Sequence, residues 1–187
     1  MKNLKSIYLL VVICFFVLYG CGKKKQGEKF FFDIPGYFKH EIEYIKTNFS
    51  SVSKISVYNG DTSQQQLKVN EVNWEKEFAL FLKSDINKPL YVANMHKVDW
   101  PLPLQVDSSV EKQGYSVVAN NKNLDIQEVG IGKIPQTIEI IIRKSNLLSE
   151  TLIKANYMKD SAYSILGEQH LKGFSNNTFL ITGKLNK

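Results

Sequence analysis

The apolar positions of this chain change their period along its length, and each change marks an element. Between Phe30 and Phe49 they recur at helical spacing: Phe38, Ile42, Ile45 and Phe49 lie four, three and four residues apart, which is one stripe of an amphipathic helix. Asp33-Ile34-Pro35 supplies its start, a capping carboxylate followed by proline in the first turn. From Val52 to Tyr58 the pattern alternates, and a second alternation runs from Gln65 to Val69. The Asn59-Gly60 pair between them predicts a hairpin, because both residues tolerate positive φ. Helical spacing returns at Trp74, Phe78 and Phe81, with Leu82 alongside. Asn73 is placed to cap this second helix, and Glu75 and Glu77 suit its first turn. Its end is expected near Ser84, ahead of Asn87-Lys88-Pro89.

From Leu90 onward the pattern shows no helical stripe. Short alternating runs predict strands at 90–93, 97–106, 115–119, 124–129, 137–143, 151–157, 163–169 and 178–184. Pro101 and Pro103 make the second of these an edge or a broken strand. Asn120 to Asn123 and Gly132 to Pro135 read as turns, as does Gly130-x-Gly132. The last two strands share the pattern aromatic-x-Ile-x-Gly: Tyr163, Ile165, Gly167 and Phe179, Ile181, Gly183. With a period of two these residues fall on one face, where glycine leaves room for a helix or a neighbouring aromatic. Lys154, Asn156, Ser164, Glu168, Thr178, Thr182 and Lys184 take the opposite, polar face, interrupted by Leu166 and Leu180. The expected architecture is α+β: two amphipathic helices packed on a twisted antiparallel β-meander, with a curl into a partial barrel left open.

The first residues follow a different rule. Lys2 and Lys5 precede the apolar run Ile7–Leu18, and Leu18-Tyr19-Gly20-Cys21 follows. A basic start, a short apolar core and a small residue before a cleavage point make a secretory signal peptide. The run is short for a spanning helix, which needs about 20 residues. Leu-x-Gly-Cys resembles the lipobox of bacterial lipoproteins. That resemblance implies a signal peptide over 1–20, lipidation of Cys21 with palmitate-like acyl chains, a flexible tether over 21–29, and a single domain over 30–187. An uncut signal anchor and soluble release are the alternatives, and the placing of Leu18, Gly20 and Cys21 argues against both. Cys14 would leave with the signal, so Cys21 would be the sole remaining cysteine and no internal disulfide would form. No acidic residue stands beside Cys21. By resemblance to other lipoproteins this implies the outer membrane, facing the periplasm.

Charge adds little beyond this. The chain carries 24 Lys+Arg against 18 Asp+Glu, but from Lys29 onward the balance is 19 against 17. The excess sits at the N-terminal end, with Lys23-Lys24-Lys25 beside the expected lipid, where each charge attracts anionic headgroups by about 1 kcal/mol. A near-neutral domain does not imply a nucleic-acid partner. Catalytic motifs are missing: there is no Gly-x-Ser-x-Gly elbow and no phosphate loop. His40, His96 and His170 are scattered and form no metal-ligand spacing. Asp85 is the best polar candidate for a special role, with a helix-end turn as the plainer account. Asp160-Ser161-Ala162 resembles a periplasmic O-glycosylation signal, and an ordinary hairpin turn accounts for it better.

Trp74, Glu77 and Phe81, with the run Asp85 to Pro89, resemble uncharacterised lipoproteins of Bacteroidota. The resemblance implies fold and origin and no activity. The expected role is a non-enzymatic binding or scaffolding module of the cell envelope. It would contact membrane lipid through Cys21 and an envelope protein partner, and it calls for no cofactor. The alternative is a carrier or sensor of an apolar, lipid-like ligand held between helices and sheet.

Overall fold

The computed structural model describes residues 29–99, 114–132 and 136–187. Nine strands form one antiparallel sheet: β1 Ser51–Tyr58, β2 Asp61–Lys68, β3 Met95–Asp99, β4 Tyr115–Ala119, β5 Ile126–Ile131, β6 Thr137–Ser145, β7 Ser149–Met158, β8 Ala162–Leu171 and β9 Asn177–Asn186. Their order is β2-β1-β9-β8-β7-β6-β5-β4-β3. Strands β3 to β9 are thus a meander, and the first hairpin adds to its last strand. The sheet is open among the described residues, ending at β2 and β3. The β2 edge is blunted by an exposed run of Asp, Thr, Ser and Gln side chains.

Among the described residues four α-helices accompany the sheet: α1 Ile34–Asn48, α2 Trp74–Glu77, α3 Ala79–Lys83 and α4 Pro89–Asn94. In α1 the Asp33 carboxylate accepts the Gly36 N–H at 3.1 Å. A Cβ at position 36 would overlap that carboxylate, which accounts for glycine there. Burial opposes the charge of Asp33, but its bonds to Lys29 and to the Gly36 N–H hold its carboxyl below the ordinary value. The predicted stripe is the buried one: Phe38 and Ile45 are fully buried, Ile42 and Phe49 nearly so.

The second predicted helix is two. Its stripe is correct, with Trp74, Phe78 and Phe81 all buried, but the backbone leaves helical geometry at Phe78 (φ −96°, ψ 17°). The Phe78 ring lies 5.1–5.9 Å from the rings of Phe38, Trp74, Phe81, Tyr157 and Tyr163. Packing on this cluster overrides the modest helix preference of an aromatic residue. Residues 90–93 are a further correction, since they belong to helix α4 rather than to a strand. Pro89 is its first residue, where the fixed φ of proline favours a helix, and six residues are too few to display a helical period. Gly130 lies within β5 rather than in a turn. Of the expected strand over 97–106, residues up to Asp99 belong to β3, and the remainder, with Pro101 and Pro103, lies outside the described residues, as does most of the Gly132–Pro135 turn.

The predicted hairpin and the shared face of the last two strands are present. Asn59 (φ 49°) and Gly60 (φ 98°) turn the β1–β2 hairpin. In the β8–β9 pair Tyr163 faces Gly183, Ile165 faces Ile181 and Gly167 faces Phe179. The space left by each glycine is filled by the aromatic ring across from it, the pairing by which an aromatic covers a strand glycine. The helices cover this same face. Phe38 and Glu41 of α1 meet Tyr157 of β7, and Glu77 of α2 meets Tyr163 and Lys54. The upper end of the sheet, as defined here, carries the β1–β2, β4–β5, β6–β7 and β8–β9 turns; the lower end carries β5–β6 and β7–β8.

Candidate functional site

Two carboxylates, Glu41 buried and Glu77 partly buried, tie the helices to the sheet. Tyr157 donates its hydroxyl to Glu41 at 2.6 Å, and Lys159 Nζ lies 3.9 Å from the other oxygen of that carboxylate. Tyr163 donates to Glu77 at 2.8 Å, while Lys54 Nζ meets the second Glu77 oxygen at 2.6 Å. Tyr157 and Tyr163 are themselves cross-strand partners, so one tyrosine pair holds one glutamate from each helical segment. Burial, and then the neighbouring carboxylate, pushes both phenols far above their ordinary range; Tyr37, also bonded to Glu41, moves the same way for the same reasons. A phenol held neutral in this manner donates a hydrogen bond but delivers neither nucleophile nor proton at physiological pH. These groups face a packed aromatic interior, and their work is to orient the helices. Trp74 adds a further tie, its indole N–H donating to the Val69 carbonyl at 2.9 Å.

The layer opens beside α3 and α4. Beyond Phe81 the chain passes through α3 into α4, and a cleft of about 290 Å³ lies between these helices and β5–β7. Leu80, Tyr91, Ile126, Ile142 and Ile153 give it an apolar lining, and Lys83, Ser84, Asp125 and Lys144 give it polar edges. Asp125 and Lys144 pair across the rim at 3.2 Å, with both side chains more than half exposed; such a pair contributes little and opens readily. Burial, then the charge of Asp125, raises the Tyr91 phenol, while the Ile126 N–H acts in the opposite sense. Tyr91 thus offers the cleft a neutral hydroxyl. The volume sits at the lower limit of ordinary ligand pockets and suits a small amphipathic group or one end of a larger molecule.

On the other face of the sheet, Ser116 donates to Glu128 at 2.9 Å and is fully buried. Burial and the charge of Glu128 raise the neighbouring Glu139, with Lys154 opposing. Leu166 and Leu180, which interrupt the polar set, are register partners, and Val57 faces Leu180 on the next strand.

Cys21 lies outside the described residues. Asp85 is a turn residue: its carboxylate accepts the Asn87 N–H at 3.0 Å. Asn87 is the more consequential member of that loop, since its side chain accepts the Phe31 N–H at 2.7 Å and donates to the Phe32 carbonyl at 3.3 Å, clasping the start of the described residues. Asp160 and Ser161 form the tight β7–β8 turn, with Asp160 at φ 59°. His96 and His170 each bond an asparagine side chain, Asn120 and Asn176. No group of three His, Cys, Asp or Glu able to hold a metal occurs among the described residues, and no described helix is long and apolar enough to cross a membrane. The residues of the cleft escaped the sequence reading, although Ile142 and Ile153 stand in phase with the inward faces of their strands. Comparison with family models, curated proteins and solved structures finds no match to this chain.

Proposed function

We propose that this chain is a lipid-anchored, non-enzymatic binding module of the bacterial cell envelope. It is held through Cys21 at the outer membrane, facing the periplasm, and it takes the apolar part of an envelope component in the cleft between α3, α4 and β5–β7. The observation that carries this reading is the make-up of that cleft: an apolar lining, a neutral tyrosine hydroxyl and an openable ion pair, in a layer otherwise filled by interlocking rings. Nothing in such a lining performs chemistry, and all of it suits retention of an amphiphile. Protein extracted from membranes should release an amphiphile into organic solvent, detected by mass spectrometry, and Leu80→Trp, which fills the cleft, should abolish that signal. Wild-type protein that carries no such molecule refutes the site. The anchor is tested separately: Cys21→Ser should lose labelled palmitate and stable membrane association.

A scaffolding reading rests on a different surface. Val57, Leu180 and Leu166 are consecutive cross-strand neighbours on the face away from the helices, with exposed Ile55 on the same face of β1. A photo-crosslinking residue at position 166 should capture a discrete protein if that face is the working one, and Leu80→Trp should then leave capture unchanged.

A further inference from the structure

The cleft between α3, α4 and β5–β7 does not end at its ion pair. Asp125 and Lys144 also line a second opening of about 440 Å³, together with Lys122, Arg143 and Glu150. The two openings share that rim and differ in kind. Leu80, Ile142 and Ile153 belong to the first alone, whereas every side chain lining the second is polar or charged. We infer that the cleft retains a single-chain anionic amphiphile, its hydrocarbon in the first opening and its anionic headgroup in the second, beside Lys122, Arg143 and Lys144, an assignment that rests on the binding reading above and names the class of molecule bound. The run of β6 builds this junction. Ile142 is paired on both sides, with Ile126 and Ile153, while Arg143, Lys144 and Ser145 pair with β7 alone. The period of two sends Lys144 to the helix-covered face, next after Ile142, and Arg143 to the other face. The apolar row of β6 therefore ends in a lysine at the mouth of the cleft. Arg143 N–H donates to the Asp125 carbonyl at 2.8 Å, which fixes the backbone of Asp125 at the same rim.

Charge selects the headgroup. Four cations border the two openings, Lys83, Lys122, Arg143 and Lys144, against two carboxylates, Asp125 and Glu150. Lys144 already meets Asp125 at 3.2 Å and Arg143 meets Glu150 at 3.6 Å. Lys83 and Lys122 have no ion pair among the described residues. All four paired side chains are about half exposed or more, so these pairs yield to a competing anion at little cost. A carboxylate or a phosphate accepts charge-assisted bonds from lysine and from the guanidinium fork. A cationic head would meet an excess of positive charge, and a neutral head would leave that charge unanswered. The first opening, about 290 Å³, is small for a ligand pocket and suits one chain rather than a pair.

The test titrates the full-length protein, in phosphatidylcholine nanodiscs, with water-soluble single-chain probes: octanoate, octyl phosphate, octanol and octyltrimethylammonium. Calorimetry reads the binding, with empty nanodiscs as the blank. Octanoate and octyl phosphate should bind at least about tenfold more tightly than octanol, and octyltrimethylammonium more weakly still. The tighter of the two anions distinguishes a fatty acid from a phosphate-bearing lipid as the source. Lys122→Glu and Lys144→Glu should each remove most of the anion preference and leave the octanol affinity within about twofold. Lys184→Glu, at the lower end of β9, should change nothing. Leu80→Trp should abolish binding of all four probes. Octanol bound as tightly as the anions, or an anion preference that survives both glutamate variants, overturns the inference and leaves the cleft reading standing. Inorganic phosphate bound as tightly as octyl phosphate overturns it too, since the chain would then add nothing. Octanol binding that Leu80→Trp leaves untouched defeats the cleft reading itself.

Discussion

Replacing Gly183 by alanine is the sharpest test of how the helices are locked to the sheet. A Cβ at Gly183 would fall inside the ring of Tyr163. That ring cannot step aside without loss: it is 2% exposed, its hydroxyl donates to Glu77 at 2.8 Å, and Phe78 and Trp74 meet it in T-shaped contacts at 5.2 and 6.3 Å. Overpacking a core costs about 1–3 kcal/mol, and loss of a hydrogen bond to a charged acceptor about 1.5–3 kcal/mol. The smaller freedom of alanine in the unfolded chain returns about 0.4–1 kcal/mol. The net destabilisation should be about 2–4 kcal/mol, read by urea titration with thermal melts alongside. Gly167→Ala is the internal control. Its Cβ would also meet a ring, that of Phe179, but that ring is only half-buried and has no hydroxyl to hold it, so the cost should stay below about 1.5 kcal/mol. In a Tyr163→Ala background Gly183→Ala should become nearly neutral, giving a coupling of at least about 1.5 kcal/mol in the double-mutant cycle. A coupling below about 0.5 kcal/mol, or a larger loss from Gly167→Ala, would mean that the ring over Gly183 is not what ties α2 to the sheet.

Phe81→Ala, which removes a fully buried ring stacked on Phe38 at 4.3 Å, should cost about 3–5 kcal/mol by denaturant titration. Thr182→Val, on the face away from the helices, should leave the melting temperature nearly unchanged; a large loss would reverse the assignment of the two faces. The raised phenols of Tyr37, Tyr157 and Tyr163 contribute stability that is present below about pH 10 and lost as pH rises above it. Their tyrosinate absorbance should therefore appear together with loss of circular dichroism rather than before it. Glu139 is also raised, so the folded state favours its protonated form and stability falls as pH climbs through the interval above the ordinary glutamate value. Glu139→Gln should remove that fall and raise the melting temperature near neutral pH.

How far the sequence carries depends on the range of the signal. The β1–β2 turn is written in two adjacent residues, and the α1 cap in four, so both were legible. That Tyr163 and Gly183 share one face was legible as well, because a period of two leaves one choice of face once Ile165 and Ile181 are apolar; which residue stands across from which was not. Helix α4 was hidden because its six residues carry no period, and because proline, which opens a helix as readily as it ends one, was read only as an end. The break at Phe78 was hidden for another reason. It is set by rings drawn from α1, β7 and β8, and no local pattern contains them.

That break is also what creates the cleft. A straight helix from Trp74 to Lys83 would keep one stripe against the sheet throughout. With the turn at Phe78, α3 instead sets Phe81 beside Phe38 while Leu80, Lys83 and Ser84 stand over Ile142 and Ile153. The chain then doubles back through the Asn87 clasp, and α4 brings Tyr91 to the far wall of the same opening. Ile126 completes the lining where β5 shifts register against β6 between Ile126 and Glu128, a bulge that bends a strand and re-aims its side chains. The cleft is therefore the joint product of a helix break and a bulge, neither of which is written in a hydrophobic period. Restoring regularity should close it. Deletion of Gln127, the residue passed over in the register, should leave Ile126 opposite Ile142 on the helix-covered face but remove the bend that re-aims β5, and so abolish amphiphile retention, while the Tyr157–Glu41 tie keeps α1 in place. Loss of the fold in that variant, or retention unchanged, would show that the bulge serves the sheet rather than the site.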